Sequence, residues 1–418
     1  MRSTRPARPS VAPDPVDRRM TRLPEHDLIA AMFVPPHPSR APSSPIRVAA
    51  AHVTDPELAI RDLFGRLDLP ELAGIVLFCS SRYPLDALAE AIGSRAEGLT
   101  IVGCTSSGEI TPNGLDEGTI TAIGFPASDF RLSATCFENL DTFDSRVAQQ
   151  TVRSMVATAA LPGPQLGDTP SHAAIFLVDG LSHREEMLTL TLQDALGEVP
   201  LIGGSSGDGL DFRETFVFYE GQFRRDAAIV AILSSSRRMK VFRAQHFGPG
   251  DVKMVITVAD PVTRIVHEIN AEPAVEEYAR LIGTTVAELS PNHFAAHPPM
   301  VRAGGEYFVR SIQTANPDGS LTFYCAIDEG IVLTLGEATD IMQNLHELFE
   351  DLDRSVGGID RILGFDCVLN NVEVEQRQLR SAVSALFADR GVVGFNTYGE
   401  QYHALHVNQT FSGLAIGR

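Results

Sequence analysis

EGLTIVGCTSSGEI (97–110), VPLIGGSSGDG (199–209) and GVVGFNTYGEQ (391–401) are one phrase written three times. Each is a short apolar strand running into a Gly- and Ser- or Thr-bearing turn. Each ends in Gly plus an acid: Gly108-Glu109, Gly207-Asp208 and Gly399-Glu400. The second copy is one residue shorter between its strand and that Gly. Strand-like runs follow each turn: GTITAIGF (118–125), DAAIVAIL (226–233) and FSGLAIG (411–417). Upstream, GIVLFCSS (74–81), HAAIFLVDGLS (172–182) and RILGFDCVLNN (361–371) each precede a helical stretch. The unit is therefore strand, loop, helix, strand, Gly-turn, strand. Any α/β protein holds strand–helix–strand units, but here the turn itself recurs, which marks an internal repeat. The expected fold class is α/β, with internally repeated units forming mixed β-sheets covered by helices in two lobes.

Working outward, the segment between copies two and three (about 236–345) reads differently. RIVHEINAEPAVEEYARLIG (264–283) predicts a strand, a turn and an amphipathic helix, with Ala274, Tyr278, Leu281 and Ile282 on one face. EYFVRSIQ, SLTFYCAI and IVLTLG predict strands, and ATDIMQNLHELFEDLDRSV (338–356) a helix. Residues 1–46 carry ten of the 26 prolines, seven arginines and four acids, with no apolar periodicity. They read as a disordered Pro/Arg-rich tail. The expected domains are that tail, 47–235 and 236–418.

Composition narrows the function classes. The net charge of −19 disfavours nucleic acid, whose phosphates need basic partners, and disfavours anionic membrane surfaces. No apolar run is long enough to span a bilayer, and the N-terminus has no secretory core segment. Cys79, Cys104, Cys136, Cys325 and Cys367 show no metal-knuckle spacing, and they read as packed thiols of a reducing, cytoplasmic compartment.

The turns carry the candidate chemistry. Glycine lets a ligand approach the main chain, and hydroxyls with exposed N–H groups suit a carboxylate. The candidate ligand-binding residues here are Cys104, Thr105, Ser106, Gly108, Glu109, Ser205, Ser206, Tyr398 and Glu400. The acids could receive an ammonium group, or serve only as local turn bonds. Gly203-Gly204-Ser205-Ser206-Gly207 matches G-x-S-x-G, but a nucleophile elbow needs a helix directly after it. DGLDFRETFVFYE follows instead, so no catalytic residue is assigned. Cys104 has no sequence neighbour that would favour a thiolate.

GCTSSGEI, then LIGGSSGDG with FVFYEGQFRRDAAIVAIL, resembles the FIST N region; VHEINAEPAVEEYARLIG, FDCVLNN and GFNTYGEQYHALHVNQT resemble FIST C. The resemblance spans about 70–417 and implies a non-enzymatic intracellular module that senses small ligands. AQHFGPG, AAHPPMVRAGGEYFVRSIQ and LTFYCAIDEGIVLTLG are similar to a haem-binding subset, NosP. That subset reports nitric oxide to histidine kinases or cyclic-di-GMP enzymes.

A non-covalent haem b needs a neutral imidazole beside an apolar surface. His246 alternates with Phe242 and Ala244 in MKVFRAQHF, and His297 precedes Pro298 in NHFAAHPPMVR. Arg302 and Arg310 could pair with propionates. His267, His403 and His406 are further histidines near apolar or turn positions. The sequence thus predicts a sensor of haem-bound nitric oxide, acting on a separate kinase or cyclic-di-GMP enzyme. The alternative drops haem: an amino acid or similar polar metabolite held by the turns, Glu109 and Arg302. An enzyme using Cys104 or Ser205 and a ligand-free scaffold are the remaining readings, and a homo-oligomer is compatible with each.

Overall fold

The computed structural model describes residues 45–163, 165–167 and 169–418. The expected tail over 1–46 lies outside them except for its last two residues. Ile46 is 1% exposed and packs into the central core, so it belongs to the folded body.

Each copy is longer than its phrase. An outer strand and a helix come first, then the strand, helix, strand, hairpin and closing strand. Copy one runs through Arg47–Ala51, helix Pro56–Leu67, strand Leu72–Ser80, helix Leu85–Gly93 and strand Ile101–Ser106. Its hairpin (Glu109–Thr111 with Gly114–Asp116) and closing strand Ile120–Pro126 complete it. Copy two has Phe130–Glu138, helix Ser145–Ala159, strand Ser171–Val178, helix Glu185–Leu196 and strand Leu201–Ser205. Its hairpin is Val217–Tyr219 with Gln222–Arg224, and its closing strand is Ala227–Ser235. Copy three has Met239–Ala244, helix Ile341–Val356, strand Ile359–Cys367, helices Val368–Gln376 and Arg380–Asp389, and strand Val392–Thr397. The hairpin Glu400–Tyr402 with Leu405–Val407 and strand Phe411–Gly417 end it. The first helix of every copy starts at an aspartate whose carboxylate caps free backbone N–H groups: Asp55, Asp144 and Asp340.

In each copy the two inner strands pair in parallel, which requires the crossover helix between them. The closing and outer strands add antiparallel on one side. The hairpin never joins its own sheet. Copy one's hairpin pairs with copy three (Glu109 opposite Phe395), copy two's with copy one (Val217 opposite Cys104), and copy three's with copy two (Glu400 opposite Gly204). Three sheets are thus linked in a ring.

The sheets face one another over a common core. Phe78, Leu177 and Phe365 hold equivalent positions in it, and Phe78 stacks on Phe395 with centroids 4.4 Å apart. A glycine recurs as the third residue of each strand that leads into a turn, at Gly103, Gly203 and Gly394. A Cβ there would stand 2.2, 1.8 and 1.8 Å from the carbonyl oxygen of Leu77, Phe176 or Gly364 on the parallel neighbour. Only glycine admits that approach.

The divergent region is an insertion into copy three, not a spacer between copies. It follows the outer strand Met239–Ala244 and returns at helix Ile341–Val356. Its strands form a fourth sheet led by the long Phe247–Asp260, with helices Ala274–Ile282 and Pro291–Ala296 and a separate core. Residue 235, at the expected boundary, is the last of strand Ala227–Ser235. The two expected lobes interleave, however, because the exchanged hairpins cross that boundary, and Ser43–Arg418 forms one compact unit. Among the described residues, no helix is long and apolar enough to cross a membrane.

Candidate functional site

The three turns meet at the apex of the ring. Thr105, Ser205 and Asn396 each donate a backbone N–H to the hairpin of another copy, at Phe216, Gly399 and Gly108. Ser107 donates to Asn396, Tyr398 to Ser205 and Gly207 to Thr105, closing a second cycle at 3.0–3.2 Å. These bonds correct the alignment of the phrase. Val217, not Asp208, stands where Glu109 and Glu400 stand, and copy two carries an insertion over 208–216.

Asp208 anchors that insertion. Its carboxylate accepts the N–H groups of Phe212, Arg213 and Glu214 at 2.7–2.9 Å, and the Tyr398 hydroxyl donates to it. Phe212 is held at φ +52, a left-handed conformation rare for an aromatic residue. Its ring packs on Tyr398 and Tyr324, with centroids 5.0 and 5.8 Å away.

The ring of three copies creates three equivalent apical positions with different fates. In copy two Asp179 fills the position, accepting from Thr215 and from the Asp226 N–H. In copy three the fourth sheet covers it. Gln409 donates to the Ala295 carbonyl at 2.8 Å and accepts from Ser311, while Tyr324 and Ala295 pack on Leu369 and Tyr398. In copy one the position stays open as a cavity of about 160 Å³. Arg82, Ser107, Gly108, Glu109, Glu117 and Gly118 are among the residues lining it, with Asp208–Asp211 contributed by copy two. Among the described residues no carboxylate pairs with Arg82. The Ser107 Oγ is buried and has no hydrogen-bond partner. Gly108 sits at φ +145, and a Cβ there would meet Asn396 Oδ1 at 2.7 Å.

The sequence-chosen residues divide into three groups. Thr105, Ser106, Gly108 and Glu109 do meet Ser205, Ser206, Tyr398 and Glu400 at one apex, but many of their groups are spent there. Ser205 accepts from Gln401 at 2.9 Å and is fully buried; Ser206 accepts from the Gly180 N–H and donates to Val178. Loop, not helix, follows Ser205. Glu109 accepts from Ser106 and from the Thr119 N–H and hydroxyl; Glu400 accepts from Thr397 and from the same two groups of Thr410. Burial pushes Glu109 up to about 7 and Glu400 to about 8. Neither is a free anion awaiting an ammonium group. Cys104 is a core residue, and burial holds its thiol well above the ordinary range.

The candidates from the insertion lie elsewhere. Arg302 is exposed on the short strand Pro299–Ala303, over the Tyr307 ring, and lines no part of the Glu109 cavity. Arg310 is half-buried, and its Nη1 has no partner. His297 is exposed at the end of helix Pro291–Ala296, with φ −130 and ψ 56. His246 falls past its expected strand, in the junction to Phe247–Asp260. A haem there needs a free ring nitrogen and room for the macrocycle. The His246 Nε2 is 2.7 Å from Glu373 Oε2, which leaves only Nδ1, and the adjoining cavity holds about 20 Å³, far less than a macrocycle needs. As they stand, these residues do not fit a haem. Among the described residues, no three His, Cys, Asp or Glu side chains gather as a metal site.

Arg82, Ser107, Asp208 as an anchor, and Asp179 were not singled out from sequence. Ser107 lay inside the quoted turn, but the placing of its buried hydroxyl depends on Gly207 of another copy. A Cβ there would stand 2.0 Å from that oxygen.

Residues 74–272 match the FIST N domain family and residues 274–403 the FIST C domain family. The chain is also 20% identical over 385 residues to an uncharacterized protein of Methanocaldococcus jannaschii, covering 82% of this chain and 73% of that one. FIST domains are sensor domains associated with small-ligand signalling. With both domains matched in order across nearly all of the threefold body, this chain belongs to the FIST family.

Proposed function

We propose that this protein senses a small carboxylate-bearing metabolite, an amino acid or a similar compound, bound in the apical cavity of copy one. One observation carries the reading. Of three equivalent apical positions, two are filled by the protein's own groups, and the third is a cavity lined by the exposed Arg82 and by Ser107, neither side chain having a partner among the described residues. Arg82 supplies the charge for a carboxylate, and Ser107 and the Gly108 backbone line the same wall. A buried hydroxyl without a partner costs about 1–3 kcal/mol, which a ligand oxygen recovers.

The signal passes to a separate protein, a histidine kinase or cyclic-di-GMP enzyme, if ligand affinity differs between two arrangements of the 208–216 loop. The space beside His246, about 20 Å³, is far too small for a macrocycle, which favours this reading over haem-based nitric oxide sensing.

The test is a thermal-shift and calorimetric titration of the whole chain with L-alanine, L-serine, L-aspartate, L-phenylalanine, acetate and octanoate. At least one raises the melting temperature saturably, and Arg82→Ala weakens its binding tenfold or more. No shift with any of the six, or equal binding by Arg82→Ala, sinks the proposal. A Soret band in protein made with haem precursor would support the haem reading instead.

A further inference from the structure

A second cavity, of about 400 Å³, lies across the 208–216 loop from the first. Leu210 lines both. The first cavity is walled by hydroxyls, glycines and charge. The second is walled by Leu210, Phe212, Leu289, Phe294, Tyr324 and Leu369. Its size falls in the range of small-molecule sites, whereas the first alone holds little more than a ligand's polar head. One polar group in the apolar wall is unspent. Tyr324 is 5% exposed, and its hydroxyl is buried without a partner.

From this juxtaposition we infer the class of ligand: an amphipathic carboxylate, with its head at Arg82 and an aromatic or aliphatic tail crossing Leu210 into the second cavity. The inference rests on the carboxylate reading above and adds the tail. Copy two alone carries the inserted loop, and the loop puts two apolar side chains, Leu210 and Phe212, where the cavities adjoin. The strained φ of Phe212 is the kind of backbone cost kept at ligand clamps. The Tyr324 hydroxyl offers the tail one polar contact, which suits a ring bearing a heteroatom as well as a plain apolar chain.

The loop also makes the second cavity a reporter. Its far wall comes from the fourth sheet, at Gln313, Thr314 and Ala315. A tail lodged there touches the insertion and the threefold body together, while a short carboxylate touches the body alone.

The experiment compares matched pairs by calorimetry: L-phenylalanine with L-alanine, and octanoate with acetate. Wild-type protein binds the long member of at least one pair tenfold or more tightly than the short one. Leu210→Trp, at a position 42% exposed and so tolerant of bulk, fills the crossing and removes that preference. Thr314→Trp narrows the second cavity from the opposite wall and does the same. Equal affinity for long and short members in wild-type protein overturns the tail, even where Arg82→Ala still abolishes binding. Retention of the preference by both tryptophan variants overturns it also. Failure of every carboxylate to bind wild-type protein removes the head as well, which separates the two failures.

Discussion

Glu109 and Glu400 occupy one position in two copies and make the same three bonds: to a Ser or Thr hydroxyl three residues before, and to the N–H and hydroxyl of a Thr ten residues after. Both act as internal ties between turn and closing strand. Neither has a cation against it, so burial outweighs the hydrogen bonds and raises both carboxyls, to about 7 and about 8. Asp366, buried beside Asn370 and Asn396, is raised to about 7 for the same reason. The consequence for stability has a definite sign. A carboxyl raised in the fold contributes fully while both folded and unfolded states are protonated. That contribution is intact below the ordinary value of 4.5 and is lost as pH climbs through 7 for Glu109 and 8 for Glu400. Wild-type stability should therefore fall between about pH 5 and about pH 8.5, with each unit of displacement worth roughly 1.4 kcal/mol. Glu400→Gln keeps the acceptor for Thr410 and removes the titration. Urea melts should find it within about 1 kcal/mol of wild type at the acid end and more stable by roughly 4–5 kcal/mol at the alkaline end. An equal change at both ends would mean that the carboxyl is already ionised in the fold.

At the scale of elements, the 208–216 loop is the irregular part of a regular design. Its ends are fixed by the strand Leu201–Ser205 and by Val217–Tyr219, and its middle depends on Asp208. Tyr398→Phe removes the one side-chain hydroxyl that, among the described residues, is bonded to that carboxylate and leaves the aromatic packing with Phe212 in place. Hydrogen exchange at the amides of Phe212, Arg213 and Glu214 should quicken several-fold, matching a local loss of about 1 kcal/mol, with global stability changed little. Unchanged protection would show that the three backbone donors alone hold the loop. This element also marks where sequence reading stops. The strand-turn phrase was legible because strand periodicity, glycine at close approaches and the acid after the turn are local properties. SSGDG resembles SSGEI in letters, yet Asp208 turns back on its own loop while Glu109 reaches forward to Thr119, and only pairing register separates the two. The insertion into copy three was hidden likewise, since Met239–Ala244 pairs with Phe411–Gly417 at the far end of the chain. Arg82 and Ser107 share a cavity only because loops from two copies enclose them.

For the molecule as a whole, the cyclic exchange of hairpins decides how it can come apart. A boundary at 235/236 divides the sequence into halves of similar length, and each half looks like a domain in its own right. The pairings deny this. Residues 47–235 alone would leave the Leu201–Ser205 edge without the third hairpin, and the first hairpin without its partner Val392–Thr397. The common core would lose Leu363, Phe365, Val393, Phe395 and Leu414, exposing the inner faces of both remaining sheets. An open edge beside an uncovered apolar face is the arrangement most prone to intermolecular pairing. A chain of 47–235 should accordingly lack near-ultraviolet circular dichroism and aggregate, while the whole chain unfolds in one transition, with near- and far-ultraviolet signals coincident. Adding 236–418 as a separate chain during refolding should restore soluble protein, because both crossed hairpins then find their edges. A cooperatively folding 47–235 fragment, or two resolved transitions in the whole chain, would mean that the hairpins dock on finished domains and do not complete them.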